Sequence, residues 1–210
     1  MKVFRLIFIC ASFIMTSPSF GQLVDSLVFG YSNENGKQGL FVDKDPTGNI
    51  IYKNRYKNDK KNGLCRTSEL NVVVEENYIN GVLDGWARKL VNNKVVELKE
   101  YRKGELIYLL LLNNKGITTA EYQMKDGQYN GKHHQYSLKT GELIKTDTYK
   151  DGVRNGPSFT FYKNGTPKSS CTYISDKLEG LVTNYSKDGS VYSQYWFKNG
   201  EKIDQLFSAW

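Results

Sequence analysis

The sequence predicts an all-β fold: an elongated, single-layer antiparallel sheet of tandem β-hairpin repeats of about 23–24 residues. Three observations carry that expectation. Glycines recur at Gly39, Gly63, Gly85, Gly131, Gly156 and Gly180, with one interval of twice the period that places a missing anchor at Tyr108. Tyrosines stand seven residues before the anchors at Tyr56, Tyr78, Tyr101, Tyr149 and Tyr173. The composition, with 15 Tyr and 19 Gly against 4 Pro, favours strands and turns.

Taken in chain order, residues 1–21 read as a secretory leader. Lys2 and Arg5 precede the apolar run "LIFICASFIM", and "TSPSFGQ" offers small residues for cleavage between Gly21 and Gln22. An uncleaved anchor is the competing reading, although the apolar stretch 3–15 falls short of the roughly 20 residues that span a bilayer. No transmembrane span is expected after cleavage. Removing the two basic leader residues from the formal charge of +7 leaves +5, a mild basic excess.

Residues 22–38 form a capping strand, "QLVDSLVFGYSNENG" showing one apolar run before an Asn-Gly turn. The repeat array covers 39–200. After each anchor comes a short alternating strand, as in "PSFTFYKNG", where Phe159 and Phe161 share one face. Turns follow nine or ten residues past the anchor at Gly48, Gly141, Gly165 and Gly189, and the next run returns as the partner strand. The Tyr-x-x-Gly/Asp-x-x-x-Gly segment then leads into the next hairpin, with glycines where the backbone must turn or approach closely. Two strands in each of seven units make on the order of 14 strands, joined only to sequence neighbours. A lone hairpin is marginal in water, so each unit must bury side chains against the next. Leu90, Tyr136, Phe161 and Tyr185, five residues past their anchors, are the expected row. Residues 201–210 end the array as a C-terminal cap, with Trp196, Phe197, Leu206, Phe207 and Trp210 available to hide an open edge.

The same layout separates the two cysteines of the mature chain. Cys65 and Cys171 lie about eight strands apart, near 40 Å at ~4.8 Å per strand, whereas a disulfide needs Cα atoms within about 7 Å. Two free thiols or an intermolecular bond are expected.

The units "YKDGVRNGPSFTFYKNG", "YQMKDGQYNGKHHQYSLKTG", "YINGVLDGWARKLVNNK" and "YISDKLEGLVTNYSKDG" resemble the MORN-repeat variant of bacterial exported proteins, many of which carry the label of antitoxins in a YwqK-like toxin-antitoxin family. The resemblance runs from about Gly39 to Gly200 and is weakest over 86–120. It implies a string of hairpins without an enzymatic site, used in scaffolding and protein association, with membrane-lipid contact proposed for some eukaryotic members.

No catalytic arrangement emerges from the residues. His133 and His134 are the only histidines, and neighbours on a strand point to opposite faces, as do Glu75 and Glu76. The segment "DKDPTGNI" opens like a calcium loop, with Asp43, Asp45, Thr47, Gly48 and Ile50, but Asn54 stands where a bidentate Glu is needed. Gly48 also falls where the repeat demands a turn. Neither a metal nor a cofactor is expected, and an exported chain without a long basic run is not expected to bind nucleic acid. The expected function is an exported, non-enzymatic scaffold that binds a protein partner in the periplasm or at the cell surface. Its expected surface is a sheet face bearing Trp86, Tyr136, Phe161 and Tyr185, flanked by Lys132, Lys163 and Lys187. Attachment to anionic lipid or glycan through the basic excess, and neutralisation of a toxin, are the alternatives.

Overall fold

The computed structural model describes residues 26–208, with side chains from 30 to 203. Residues 1–21, read above as a leader, lie outside the described residues, as do Trp210 and the side chains of Leu206 and Phe207. Twenty strands follow one another: β1 (Ser26–Asn33), β2 (Gly36–Lys44), β3 (Ile50–Lys57), β4 (Lys60–Lys61), β5 (Gly63–Glu69), β6 (Val72–Ile79), β7 (Val82–Leu83), β8 (Gly85–Val91), β9 (Lys94–Arg102), β10 (Glu105–Leu112), β11 (Thr118–Lys125), β12 (Gln128–Tyr136), β13 (Leu143–Lys150), β14 (Val153–Arg154), β15 (Gly156–Phe161), β16 (Pro167–Ile174), β17 (Lys177–Leu178), β18 (Gly180–Tyr185), β19 (Val191–Lys198) and β20 (Glu201–Ser208). They form one open antiparallel sheet built from consecutive hairpins.

Four of these strands, β4, β7, β14 and β17, are only the first two residues of a longer strand that is interrupted by one residue before the anchor glycine. The interrupting residues are Asn62, Asp84, Asn155 and Glu179, and each donates its amide to the strand before it, as Asn155 does to the Thr148 carbonyl at 2.9 Å. Whereas Gly39 lies in the unbroken β2, the anchor at these four positions is therefore a β-bulge rather than a turn. Gly156 has φ of 129° there, a backbone that L side chains resist. At the missing anchor the register also slips, between Leu106 and Tyr108, with Ile107 as the extra residue.

Both kinds of connection are hairpin turns. The segment that follows each repeat tyrosine closes in two residues at positive φ, such as Asn80-Gly81, Lys103-Gly104 and Asp151-Gly152, the geometry that matches strand twist. The wider turns, such as 45–49, 113–117, 162–166 and 186–190, hold a glycine whose amide bonds back three residues, as Gly165 does to Tyr162. Merging the four split strands leaves 16 across the sheet, two more than the repeat count suggests, because the N-terminal segment and the residues after Gly200 pair as β1 and β20.

A one-layer sheet has no second layer to bury its centre, so its core is what large side chains fold over. On one face, directly opposed positions run Cys65, Glu76 and, further on, Tyr122, His133, Asp147, then Ser158 and Cys171. The repeat tyrosines stand two residues along each strand from this row. Tyr52 and Tyr56 join hydroxyls above Asn54, which is 0% exposed, and Tyr78 donates to Glu76 at 2.7 Å. Small residues are what such a roof can cover, and Cys65, Ala87, Ala120, Ser158 and Ser193 are buried. Basic side chains sit on the tyrosine rings in turn: Lys61 on Tyr78 at 4.7 Å, Arg154 on Tyr173 at 3.9 Å and Lys202 on Tyr195 at 3.6 Å. Cys65 on β5 and Cys171 on β16 are free thiols, nine full strands apart.

Candidate functional site

The face opposite the tyrosines carries the aromatic residues singled out in the sequence. Register defines its central row: Arg66, Glu75 and Arg88, then Leu98, Leu110, Glu121, His134 and Thr146, then Phe159, Ser170, Thr183 and Gln194. Tyr136 lies on this face because its hydroxyl donates to Glu121 at 2.9 Å, Phe161 because it stacks on Phe159 at 6.3 Å, and Tyr185 because its hydroxyl lies 3.1 Å from that of Ser170. These three belong to β12, β15 and β18, strands of the same direction. Neighbours in the series are two full strands apart, so the rings recur every ~9–10 Å across the sheet.

Trp86 stands on the same face but on the other margin. It begins β8, two residues before Arg88, whereas Tyr136, Phe161 and Tyr185 end their strands. Its neighbour is Tyr108, edge-on at 6.1 Å, and 49% of Trp86 remains exposed. Lys132 shares the face, opposite Thr148, while Lys163 and Lys187 sit in the wider turns beside Tyr162 and Ser186. The structure thus groups three of the four aromatic residues and sets the fourth apart.

Tyr108 and Glu121 connect the two margins. The Glu121 carboxylate accepts from Tyr136, whose phenol is pushed well above its ordinary range first by burial and then by Glu121. Burial and the same carboxylate push Tyr108 up to about 12. A diagonal strip results, Trp86 to Tyr108 to Glu121 to Tyr136, apolar at its rings and anionic at its middle. Beside it, Glu75 lies between two arginines, 3.0 Å from Arg66 and in contact with Arg88. No feature of the repeat marks Glu121, and Tyr108 occupies the degraded anchor; the register across β10, β11 and β12, which no local pattern announces, is what brings both to Tyr136.

The remaining sequence motifs resolve as structure. Asp45 accepts from the Thr47 amide and hydroxyl and from Asn49, so its carboxylate closes its own turn, and these bonds hold its pKa below the usual range. His133 faces the tyrosines, and His134 bonds Thr146 at 2.9 Å on the other face. Glu75 and Glu76 likewise part, to Arg88 and to Tyr78. Among the described residues no three His, Cys, Asp or Glu side chains converge as metal ligands. An open depression of about 440 Å³ lined by Arg102, Lys103, Met124 and Lys125 holds none of the singled-out residues.

No family model matches the sequence, and no curated protein matches it. Among solved structures, the chain is similar to a TarM mutant of S. aureus in complex with Fondaparinux, alpha-GlcNAc-glycerol and UDP. That match has 10% identity and a TM-score of 0.22, and covers 65% of this chain and 21% of that one. A second TarM structure matches at 11% identity and a TM-score of 0.20, over 62% of this chain and 22% of that one. The chain spans about a fifth of the length of either. Likeness at these scores carries no argument about fold or activity.

Proposed function

We propose that this protein is an exported, non-enzymatic scaffold of the MORN-variant kind that binds a protein partner in the periplasm or at the cell surface. The observation that supports the reading is the face opposite the tyrosines, where Tyr136, Phe161 and Tyr185 repeat at even spacing and Trp86 is half exposed beside Tyr108. Large, stiff aromatic side chains with a polar handle give contact area at little conformational cost and are enriched at protein interfaces. The partner meets a surface already ordered by backbone pairing, so little of the binding free energy is spent on ordering it.

The test is affinity capture from intact cells. The chain is expressed with its own leader and a C-terminal tag, cross-linked, and recovered from the envelope fraction beside Trp86→Ala and Phe161→Ser variants. One protein recovered in near-stoichiometric amount with the wild type, and much reduced with either variant, supports the reading. Recovery of lipid or glycan alone, released as salt screens the basic surface, replaces it with surface attachment.

A further inference from the structure

On the tyrosine face, β11–β13 enclose an imidazole with nothing to bond. His133 is 7% exposed, and neither ring nitrogen has a hydrogen-bond partner. Its ring lies flat on Tyr122, 4.2 Å between centroids and 23° between planes, with Tyr129 at 6.0 Å and Tyr149 at 5.7 Å closing the other sides. Tyr122 and Tyr129 stack in turn at 5.0 Å, and Tyr149 meets Tyr129 edge-on at 5.4 Å. Directly across the strand pair stands Asp147, 2% exposed, whose carboxylate already takes Lys145 at 2.8 Å and Ser158 at 2.7 Å.

Every group around the ring is therefore committed. The tyrosines on β11, β12 and β13 present ring faces and edges. Asp147 and Lys145 on β13 neutralise each other, and Ser158 on β15 completes the carboxylate. His134, next in the chain, projects to the opposite face and is bonded to Thr146. A neutral imidazole is tolerated as an aromatic disc, at the cost of two unsatisfied nitrogens. An imidazolium has two donors and a charge, and since neither nitrogen has a partner where the ring lies, it can be satisfied only by turning out of the stack, toward a spare lone pair of Asp147 or toward water.

We propose that His133 is an acid-sensitive latch at the middle of the sheet: protonation of its ring breaks the tyrosine stack and opens β11–β13, while the hairpins nearer both ends stay paired. The direction agrees with the electrostatics. Burial, only partly offset by Asp147, holds the His133 pKa below its ordinary value. A depressed folded-state pKa means that the stability is fully present above the unfolded value of about 6.5 and is lost as pH falls through the folded value. For an exported chain such a latch makes the rigidity of the array a function of external pH.

Hydrogen exchange at a series of pH values, corrected for intrinsic rates, tests this on the full mature chain. The expected result is that opening of 118–150 rises by up to about tenfold per pH unit below pH 6.5, while 156–200 keeps its protection. A His133→Phe variant, which keeps a disc on Tyr122 and cannot titrate, is expected to abolish the pH dependence. Loss of protection that is the same in His133→Phe, or that is uniform along the chain, overturns the proposal. If the variant does not fold, NMR of the wild type decides. Titration of His133 at an ordinary histidine value, with Tyr122 and Tyr129 resonances unmoved, overturns it, and a depressed titration that moves both supports it.

Discussion

Leu70 tips the β5–β6 hairpin with φ of 52° and 98% of its surface exposed. A side chain with a Cβ resists that backbone by roughly 1–2 kcal/mol, and nothing in the fold covers its apolar atoms in return. The neighbouring β8–β9 turn uses Asn92 at φ 51° in the same role. Leu70→Asn is therefore expected to raise stability by about 1 kcal/mol, seen as a melting temperature higher by about 2–4 °C; an unchanged or lower value contradicts the assignment. Glu75 gives the opposite case. Replacing it by Leu leaves Arg66 and Arg88 facing each other, and a cost of about 1 kcal/mol in the urea midpoint is expected, small because both arginines are partly solvated. Single residues are legible in the sequence where alternation decides, as for His133 and His134. They are not legible where the partner is chosen by register across strands: Glu121 meets Tyr136 fifteen positions away, and no period announces it.

The typical repeat joins a two-residue turn, a bulged strand, a second turn and a return strand, the second turn being two residues long at 70–71 and 92–93 and wider in the other units. The anchor glycines were readable because φ above zero excludes most residues, but that requirement is the same in a turn and in a bulge, so the period alone did not distinguish them. Their tolerance differs by surroundings. A methyl group on Gly156 would sit 3.0 Å from Thr148 in addition to the strained φ of 129°, while one on Gly180 meets nothing within 4 Å at φ 79°. Gly156→Ala is expected to cost about 2–3 kcal/mol and Gly180→Ala about 1 kcal/mol, and equal losses in chemical denaturation would contradict the bulge packing. The tyrosines that roof the core link hairpin to hairpin and make the array sensitive to alkali as well. Burial, reinforced by a neighbouring hydroxyl at Tyr52 and a carboxylate at Tyr78, raises Tyr52 to about 12 and pushes Tyr78 well above its ordinary range. Raised folded-state values preserve stability below the ordinary pKa near 10 and lose it as pH climbs through them. Tyrosinate absorbance is expected to appear together with loss of the sheet signal in circular dichroism; ionisation completed near pH 10 with the sheet intact contradicts the roof.

At the scale of the molecule, a sheet connected only between sequence neighbours divides its labour by face. One face is closed by tyrosines and their basic caps, and the other offers aromatic rings at even spacing. The meander was legible because every unit repeats the same turn chemistry. Its N-terminal end was legible too, as the capping strand that pairs as β1, but its C-terminal end was not, since the residues after Gly200 carry no complete unit yet pair as β20, backbone hydrogen bonding being indifferent to the repeat. Spacing does separate Trp86, one residue past its anchor, from Tyr136, Phe161 and Tyr185, each five past theirs, and the register sets these two positions at opposite margins of one face. The proposed binding face and the acid-sensitive latch both require that the chain be one open layer. Small-angle X-ray scattering of residues 22–210 tests that most directly. Sixteen strands at ~4.8 Å extend about 72 Å, giving a radius of gyration of about 22 Å, against about 16 Å for a compact domain of the same length. A value near 22 Å with an elongated distance distribution is the predicted result, and a value near 16 Å would contradict the account.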